Sequence, residues 1–188
     1  MEHLLNDLIA NNDLSSYGEC KVNPFNQNKR LPIILLIDTS NSMASKEPLI
    51  KASIEKLYDA ILNDRVMANS VELSIISYNS SKIQIFEELR EVKFQEDKGR
   101  NIFFQFEGLP SIGLGLKVAI AQIELRKKVY KSNKPIMKYY TPIIFIICSK
   151  GIFSNSLDLH NYEEQAFDYC KVYIQQEVLS NISFCFSN

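Results

Sequence analysis

The sequence has 188 residues, enough for one globular domain with a short appendage, and this length excludes two large domains. Hydrophobic residues make up 46% and charged residues 23%, a mixture that can bury a core and that excludes disordered and collagen-like chains. Lys and Arg number 21 against 22 Asp and Glu, a formal net charge of -1. A broad binding surface for nucleic acid or anionic membrane is therefore not expected, and any partner is recognised at a local site.

Cysteine usage and the apolar runs indicate the compartment. The four cysteines, Cys20, Cys148, Cys170 and Cys185, have no CxxC spacing. Three of them lie in or beside apolar runs, where a reduced thiol behaves as a small hydrophobe. The segment MEHLLNDLIANNDL lacks the basic region and long apolar stretch of a secretory signal. The longest apolar run, 31–37, is far shorter than the roughly 20 residues that span a bilayer. We expect a cytoplasmic protein without a membrane span.

Residues 1–30 differ from the rest and are predicted to form an N-terminal arm on a domain at 31–188. A short apolar stripe (Leu4, Leu5, Leu8, Ile9) leads into a polar, Asn-rich link that ends at Arg30. Two interpretations stay open for this stripe. It packs on its own domain, or it binds a partner as a helix.

The first half of the domain predicts a strand, a loop, a helix and a hairpin. LPIILLID (31–38) is a nearly continuous apolar run, typical of a strand buried on both faces of a parallel sheet. Pro48 suits the first turn of a helix whose apolar residues recur to about residue 63. Residues 70–81 have strand composition, and 82–95 alternate as an edge strand does. A turn through Asn79 and Ser80 would make these two strands antiparallel.

The second half continues the alternation of helices and strands. Residues 112–131 predict a long helix. Its basic end, with Arg126, Lys127, Lys128 and Lys131, is expected to be a solvated face, and the alternative is a small patch that binds phosphate or nucleic acid. A buried strand (141–148), a helix (161–179) and a last strand (181–188) follow. The fold class is therefore α/β, with a mostly parallel central sheet, one antiparallel edge strand and helices on both faces. Ligands of such sheets bind at the carboxyl ends of the strands.

Oxygen-bearing side chains follow the first strand at this edge. Asp38, Ser40 and Ser42 place one carboxylate and two hydroxyls at alternate positions, which are the hard ligands that Mg²⁺ or Mn²⁺ requires. A D-x-S-x-S string alone is weak, because Asp and Ser are common in turns and caps. Its position between an apolar strand and an amphipathic helix makes it a candidate metal loop.

PIILLIDTSNSM resembles the first metal-site loop of von Willebrand factor A (VWA) domains. The stretch from Val22 through KYYTPIIFIICSKG is similar to the bacterial tellurium-resistance-associated, TerY-like group, over roughly residues 22–187. The resemblance implies a Rossmann-like VWA fold and a metal-ion-dependent adhesion site. In the family this site combines the D-x-S-x-S loop with a Thr from a second loop and an Asp from a third.

Two of these three loops depart from the family pattern. Alignment puts Pro110 at the Thr position, with Ser111 one residue away, and Lys150 at the acidic position after Ser149. Both departures remove oxygen donors, so we interpret the site as degenerate. Two interpretations of Lys150 stay open: its ammonium pairs with Asp38 in place of an ion, or it points to solvent. The alternative is a divalent-metal-dependent domain in which Ser111, Ser149 or water completes the coordination sphere.

The expected function is that of a non-catalytic protein-interaction module without a cofactor. His3 and His160 are far apart in sequence, and neither lies near a candidate nucleophile loop, so no catalytic residue is nominated. The family resemblance implies a kinase-like or phosphatase-like partner in a bacterial stress-response or defence system. Among the aromatic residues Phe103, Phe104 and Phe106 we expect burial, and the alternative is an exposed group at the ligand edge.

The end of the chain carries one further expectation. The family sheet has six strands and a final helix, whereas this sequence stops after the fifth predicted strand, so the domain is interpreted as shortened there. An apolar strand at a sheet edge offers unpaired backbone groups to another strand. Residues Ile182, Phe184 and Phe186 are therefore candidates for docking a partner or a second copy, and the competing explanation is that the arm covers this edge.

Overall fold

The computed structural model describes residue 23 and residues 25–95, 99–149 and 181–187. Short 3-10 helices lie at Asn41–Lys46 and Val92–Phe94. The main elements, in chain order, are β1 (Leu31–Asp38), α1 (Glu47–Asn63), α2 (Arg65–Ser70), β2 (Val71–Tyr78), β3 (Ile83–Glu91), α3 (Ile112–Ser132), β4 (Ile143–Ser149) and β5 (Asn181–Ser187).

The described strands form one sheet in the order β3-β2-β1-β4-β5. β1 is parallel to β2 and β4, and β4 is parallel to β5, whereas β3 pairs antiparallel with β2. This arrangement confirms the predicted α/β class and the antiparallel hairpin. β5 forms the other edge of the described sheet, with Ile182 opposite Ile144 and Phe184 opposite Ile146.

Both faces of β1 are buried, as its continuous apolar sequence predicts. Ile34 and Leu36 belong to the core beneath α3, and Ile33, Leu35 and Ile37 belong to the core beneath α1. Side chains alternate across a strand, so an apolar residue at every position fills both layers. The sheet therefore has a helix on each face, and β1 ends in the interior at Asp38.

The helices next to β1 begin as the sequence indicates, with two additions. Pro48 lies in the first turn of α1, and Ile50, Ile54 and Ile61 are on its buried side. The 3-10 helix before α1 and the six-residue α2 were not predicted. Asp64 caps α2, because its side chain accepts hydrogen bonds from the backbone N–H groups of Val66 and Met67.

The basic end of α3 is solvated only in part: Lys128 and Lys131 are exposed as predicted, whereas the prediction is wrong at Arg126 and Lys127. Arg126 is 2% exposed and Lys127 8%. Glu72 in β2 is the reason for the burial of Arg126: its carboxylate accepts from Arg126 Nε at 2.6 Å and Nη2 at 2.8 Å, and from the Tyr130 hydroxyl at 2.5 Å. A bidentate pair of this kind can hold a guanidinium in the interior.

The ion pairs continue toward the chain that precedes β1. Arg30 is fully buried, with Nη2 at 2.9 Å from Glu91 and Nε at 3.7 Å from Glu72. Asn26 donates to Glu91 at 3.0 Å and to the carbonyl of Asn69 at 2.9 Å. The last residues of the predicted arm therefore pack against the amino-terminal edge of the sheet.

Several predictions fall outside the described residues. These are the apolar stripe at 4–9, the helix at 161–179 and the loop that begins at Lys150. None of the helices in the described part of the chain is long and apolar enough to cross a lipid bilayer.

Candidate functional site

The loop after β1 folds around the carboxylate of Asp38. Asp38 and Ser40 are each 1% exposed, and the Asp38 Oδ1 atom accepts a hydrogen bond from the Ser40 backbone N–H at 2.8 Å. The hydroxyls of Ser40 and Ser42 are 3.0 Å apart, and Ser42 reaches the surface. The three residues that the sequence singled out are therefore one local cluster at the carboxyl end of β1.

The spacing of the two hydroxyls has a chemical meaning. Adjacent oxygens around an octahedral ion with Mg–O bonds of about 2.0 to 2.1 Å lie about 2.9 Å apart. The Ser40 and Ser42 hydroxyl oxygens are separated by 3.0 Å. The same separation is that of an ordinary O–H···O hydrogen bond, so the spacing is compatible with two neighbouring ligands and is equally explained without an ion.

The start of the second predicted site segment, EGLPSIGLGL (107–116), lies against the first loop. Backbone hydrogen bonds join them: Glu107 N–H donates to the Thr39 carbonyl at 3.0 Å, and Asn41 N–H donates to the Gly108 carbonyl at 3.2 Å. Pro110, which is partly exposed, has no side-chain oxygen. Ser111 is 6% exposed at the N-cap of α3, and its side chain makes no capping hydrogen bond.

The donor set therefore fits a divalent ion in part. The first loop offers a carboxylate and two hydroxyls, and the Ser111 hydroxyl is the nearest chemical substitute in sequence for the oxygen missing at Pro110. No group of three His, Cys, Asp or Glu side chains that could hold a metal ion is present among the described residues. Any ion would depend on hydroxyl ligands and water more than on carboxylates.

Asn79, at the end of β2, holds three segments together, and the sequence indicated it only as a turn residue. Its Oδ1 atom accepts from the backbone N–H groups of Ser81 at 2.8 Å and Lys82 at 2.9 Å. Its Nδ2 atom donates to Thr39 Oγ1 at 3.3 Å and to the Gln105 carbonyl at 3.4 Å. The sequence offers one signal for this role, an Asn directly after a buried strand. The contacts with Thr39 and Gln105 could not be predicted from it, because both residues are distant from Asn79 in sequence.

Gly108 closes the second segment onto the turn after β2. Its φ of +65° is a conformation that side chains rarely adopt, and a Cβ atom there would lie 2.4 Å from the Ser80 hydroxyl oxygen. That hydroxyl accepts from the Leu109 N–H at 3.0 Å, and Ser80 N–H donates to the Leu109 carbonyl at 2.8 Å. Glycine permits this close approach.

The third predicted loop begins where β4 ends. β4 lies beside β1, with Ile147 opposite Ile37, so Ser149 ends its strand close to the level of Asp38. The side chain of Ser149 and all of Lys150 lie outside the described residues. The pairing of Lys150 with Asp38 stays a prediction.

Apolar side chains are exposed beside the first two loops. Leu109 is 51% and Leu114 42% exposed, and they flank Ser111 in sequence. Together with Ser42 they define what we call the site-edge surface. Phe104 is buried as expected, whereas Phe103 is 75% exposed, with Lys51 Nζ 5.3 Å from its ring centre. For Phe103 the expectation of burial is wrong.

Comparison with known proteins gives a match in structure alone. No protein-family model matches the sequence, and no curated protein matches it. The structure is similar to proximal thread matrix protein 1 from the mussel byssus, with 12% identity, a TM-score of 0.52, and coverage of 85% of this chain. A second structure of that protein, described as having a zinc-occupied MIDAS motif, gives 15% identity, a TM-score of 0.50 and 85% coverage.

The chain spans only 38% of the length of the mussel protein. Identities this low establish the fold and nothing about binding. The match is consistent with the mostly parallel sheet and the helices on its two faces. The chain thus has a von Willebrand factor A-like, Rossmann-like fold.

Proposed function

We propose that this chain is a non-catalytic protein-interaction module that binds its partner through the site-edge surface. The observation that carries the proposal is the exposure of Leu109 and Leu114 beside loops that hydrogen bonds hold in place. Leu109 lies in the second loop and Leu114 in the first turn of α3, and apolar groups held on ordered backbone lose little conformational entropy on binding. No cofactor takes part.

The metal site of this module is proposed to be degenerate. Pro110 and Lys150 occupy the two positions at which the family resemblance implies oxygen ligands. An ammonium close to Asp38 would compete with an ion: at about 4 Å, two unit charges interact by roughly 4 kcal/mol at an effective dielectric near 20, and a divalent ion doubles the repulsion. Lys150 would then neutralise Asp38 in place of the metal.

The second candidate function is divalent-metal-dependent binding. It is favoured by the 3.0 Å separation of the Ser40 and Ser42 hydroxyls, which suits two neighbouring ligands of Mg²⁺ or Mn²⁺. Asp38 would contribute the carboxylate, and Ser111, Ser149 or water would substitute for the missing donors. The zinc-occupied motif of the mussel protein is compatible with this candidate.

Titration calorimetry with Mg²⁺ and Mn²⁺ separates the two candidates. We expect no binding by the natural chain and binding by the Pro110→Thr, Lys150→Asp double variant, because that variant restores both oxygen donors. Adding Asp38→Asn to the double variant should abolish the binding and so locate the ion. Tight binding by the natural chain that depends on Asp38 would refute the degenerate site and establish the metal-dependent candidate.

The interaction surface needs its own test. The chain is purified from its natural host with bound proteins, and their amounts are compared with those on the Leu109→Asp, Leu114→Asp variant. The matched control is Ile136→Asp, an equally drastic change at a residue that is 70% exposed away from the site loops. A partner that is lost with the first variant and kept with the control supports the proposal, and equal retention contradicts it.

The partner and its setting are proposed from the sequence resemblance. We propose a kinase-like or phosphatase-like protein in a bacterial, cytoplasmic stress-response or defence complex, with the chain as its TerY-like component. The D-x-S-x-S loop and the KYYTPIIFIICSKG stretch support this assignment. Identification of the co-purifying protein decides it.

We also propose that the β5 edge pairs with a second copy of the chain. β5 carries no charged residue and lies at the edge of the described sheet, and an edge strand of this kind offers backbone groups for strand pairing. Charges on an edge strand discourage such pairing. Sedimentation velocity should show a dimer for the natural chain and a monomer for Ser183→Lys, and a natural chain that is monomeric at all concentrations would disprove the dimer.

A further inference from the structure

A second surface lies at the amino-terminal edge of the sheet, away from the loops after β1 and β2. It is a groove of about 610 Å³ between the chain that leads into β1 and the helix α2. We call it the arm groove. Its lining is mostly polar, with amide side chains at 23, 26–28 and Asn69, and it also includes Phe25, Arg65, Val66 and Lys93. Neither the candidate metal loops nor the site-edge surface contributes to it.

The arm groove combines exposed apolar groups with positive charge. Phe25 is 92% and Val66 74% exposed. Lys93 is 3.0 Å from Glu91 and 3.1 Å from the Asn69 side-chain oxygen, so its charge is largely compensated. Arg65 is exposed on α2 and gives the groove its positive character. A ligand that matches it would be apolar on one side and acidic.

The N-terminal segment of the same chain has this chemistry. Residues 2–13 carry an apolar stripe at Leu4, Leu5, Leu8 and Ile9, contain Glu2, Asp7 and Asp13, and contain no Lys or Arg. The described chain begins in the groove itself, because residue 23 and Phe25 line it. A link of nine residues, 14–22, reaches at most about 30 Å, so residues 2–13 stay within range.

We propose that residues 2–13 dock in the arm groove of their own chain as an amphipathic helix. Twelve helical residues extend about 18 Å, and the stripe would cover Val66 and Phe25 while Asp7, which flanks the stripe beside Leu4, faces Arg65. A short tether gives an effective concentration of the order of millimolar, so an intrinsically weak contact is enough for docking. The proposal does not depend on the function proposed for the site-edge surface.

Hydrogen exchange on the full chain tests the docking. If the effective concentration exceeds the intrinsic dissociation constant about tenfold, about 90% of the molecules are docked and exchange in residues 2–13 slows about tenfold. The Leu5→Asp, Leu8→Asp variant should lose this protection and also accelerate exchange in α2. Val66→Asp should have the same effect from the groove side, and the control Leu114→Asp, on the site-edge surface, should have none.

The charge complementarity has a separate test. Arg65→Glu should reduce the protection of residues 2–13, and adding Asp7→Arg should restore part of it, which a general loss of folding would not do. Protection that rises with protein concentration would mean that the segment docks on a second copy and would overturn docking within one chain. The proposal would also be refuted if residues 2–13 exchanged at the unprotected rate in the isolated protein and Val66→Asp had no effect. The occupant of the groove would then be a helix of a separate partner.

Discussion

Replacing Glu72 by Gln is expected to be the most destabilising single polar change in the described core. The carboxylate is fully buried and accepts hydrogen bonds from Arg126 at 2.6 and 2.8 Å and from the Tyr130 hydroxyl at 2.5 Å. It also lies 3.7 Å from Arg30 Nε. Gln has the same shape but no charge, so the substitution leaves buried guanidinium groups without this counter-charge.

The magnitude follows from the burial of the partners. Removing one partner of a buried ion pair costs about 3 to 5 kcal/mol, because the remaining charge is not rehydrated. Arg30 keeps its contact with Glu91 at 2.9 Å, which places the expected loss at the lower end, about 3 kcal/mol. The free energy of unfolding of a domain is typically about 5 to 15 kcal/mol, so the substitution removes a large fraction of the stability.

Urea unfolding followed by circular dichroism measures this loss. With a slope of about 2 kcal/mol per molar urea, a loss of 3 kcal/mol moves the midpoint by about 1.5 M. The control is Glu47→Gln, because Glu47 pairs with Lys51 at 2.7 Å and both side chains are about one-third exposed; we expect a loss below about 0.5 kcal/mol.

A second variant separates an unpaired charge from lost packing. Glu72→Met with Arg126→Met removes both charges and should recover most of the stability, because an apolar pair avoids the desolvation cost. The reasoning would be refuted if Glu72→Gln cost less than about 1 kcal/mol or no more than Glu47→Gln. It would also be refuted if the double Met variant were less stable than Glu72→Gln.

Two further predictions concern the site turn and alkaline pH. Gly108→Ala should cost about 2 kcal/mol in urea unfolding, because Ala is strained at positive φ and its Cβ would lie 2.4 Å from the Ser80 hydroxyl oxygen; a wild-type midpoint would contradict this. Burial, and then the charge of Glu72, hold the pKa of Tyr130 well above its usual value of 10.0. Above about pH 10 the phenol loses its proton in the unfolded chain and keeps it in the folded chain. The titration of Tyr130 therefore leaves the free energy of unfolding unchanged below about pH 10 and lowers it at higher pH. Tyr130→Phe should reduce that decline without removing it, because burial raises the pKa of Tyr58 as well, and an unchanged pH profile for the variant would disprove the role of Tyr130.

The sequence predicts elements well where local pattern and packing agree. The apolar run of β1 can be recognised without its partners, since residues 33–37 alternate between two cores. α2 was missed because six residues carry little periodicity and its start depends on a single cap, Asp64. The burial of Arg126 was mispredicted because its counter-charge, Glu72, lies 54 residues away in sequence.

The candidate site likewise contains residues that a local pattern could locate and residues whose role depends on long-range contacts. Asp38, Ser40 and Ser42 could be located because they follow one strand and lie together in sequence. Asn79 could not, because its role comes from contacts with Thr39 and with residue 105, which only the folded sheet brings near. Long-range contacts of this kind leave no periodic trace in a single sequence.

The backbone hydrogen bonds between the site loops have a consequence for substitutions at the ligand positions. The main chain of Glu107 and Gly108 is bonded to the loop after β1, and that of Leu109 to the turn after β2. These backbone hydrogen bonds hold the segments together without a contribution from an ion. Replacing a side chain at one of the ligand positions, as in Pro110→Thr, would leave the backbone hydrogen bonds between the loops in place. The loop framework therefore does not depend on which ligand side chains it carries.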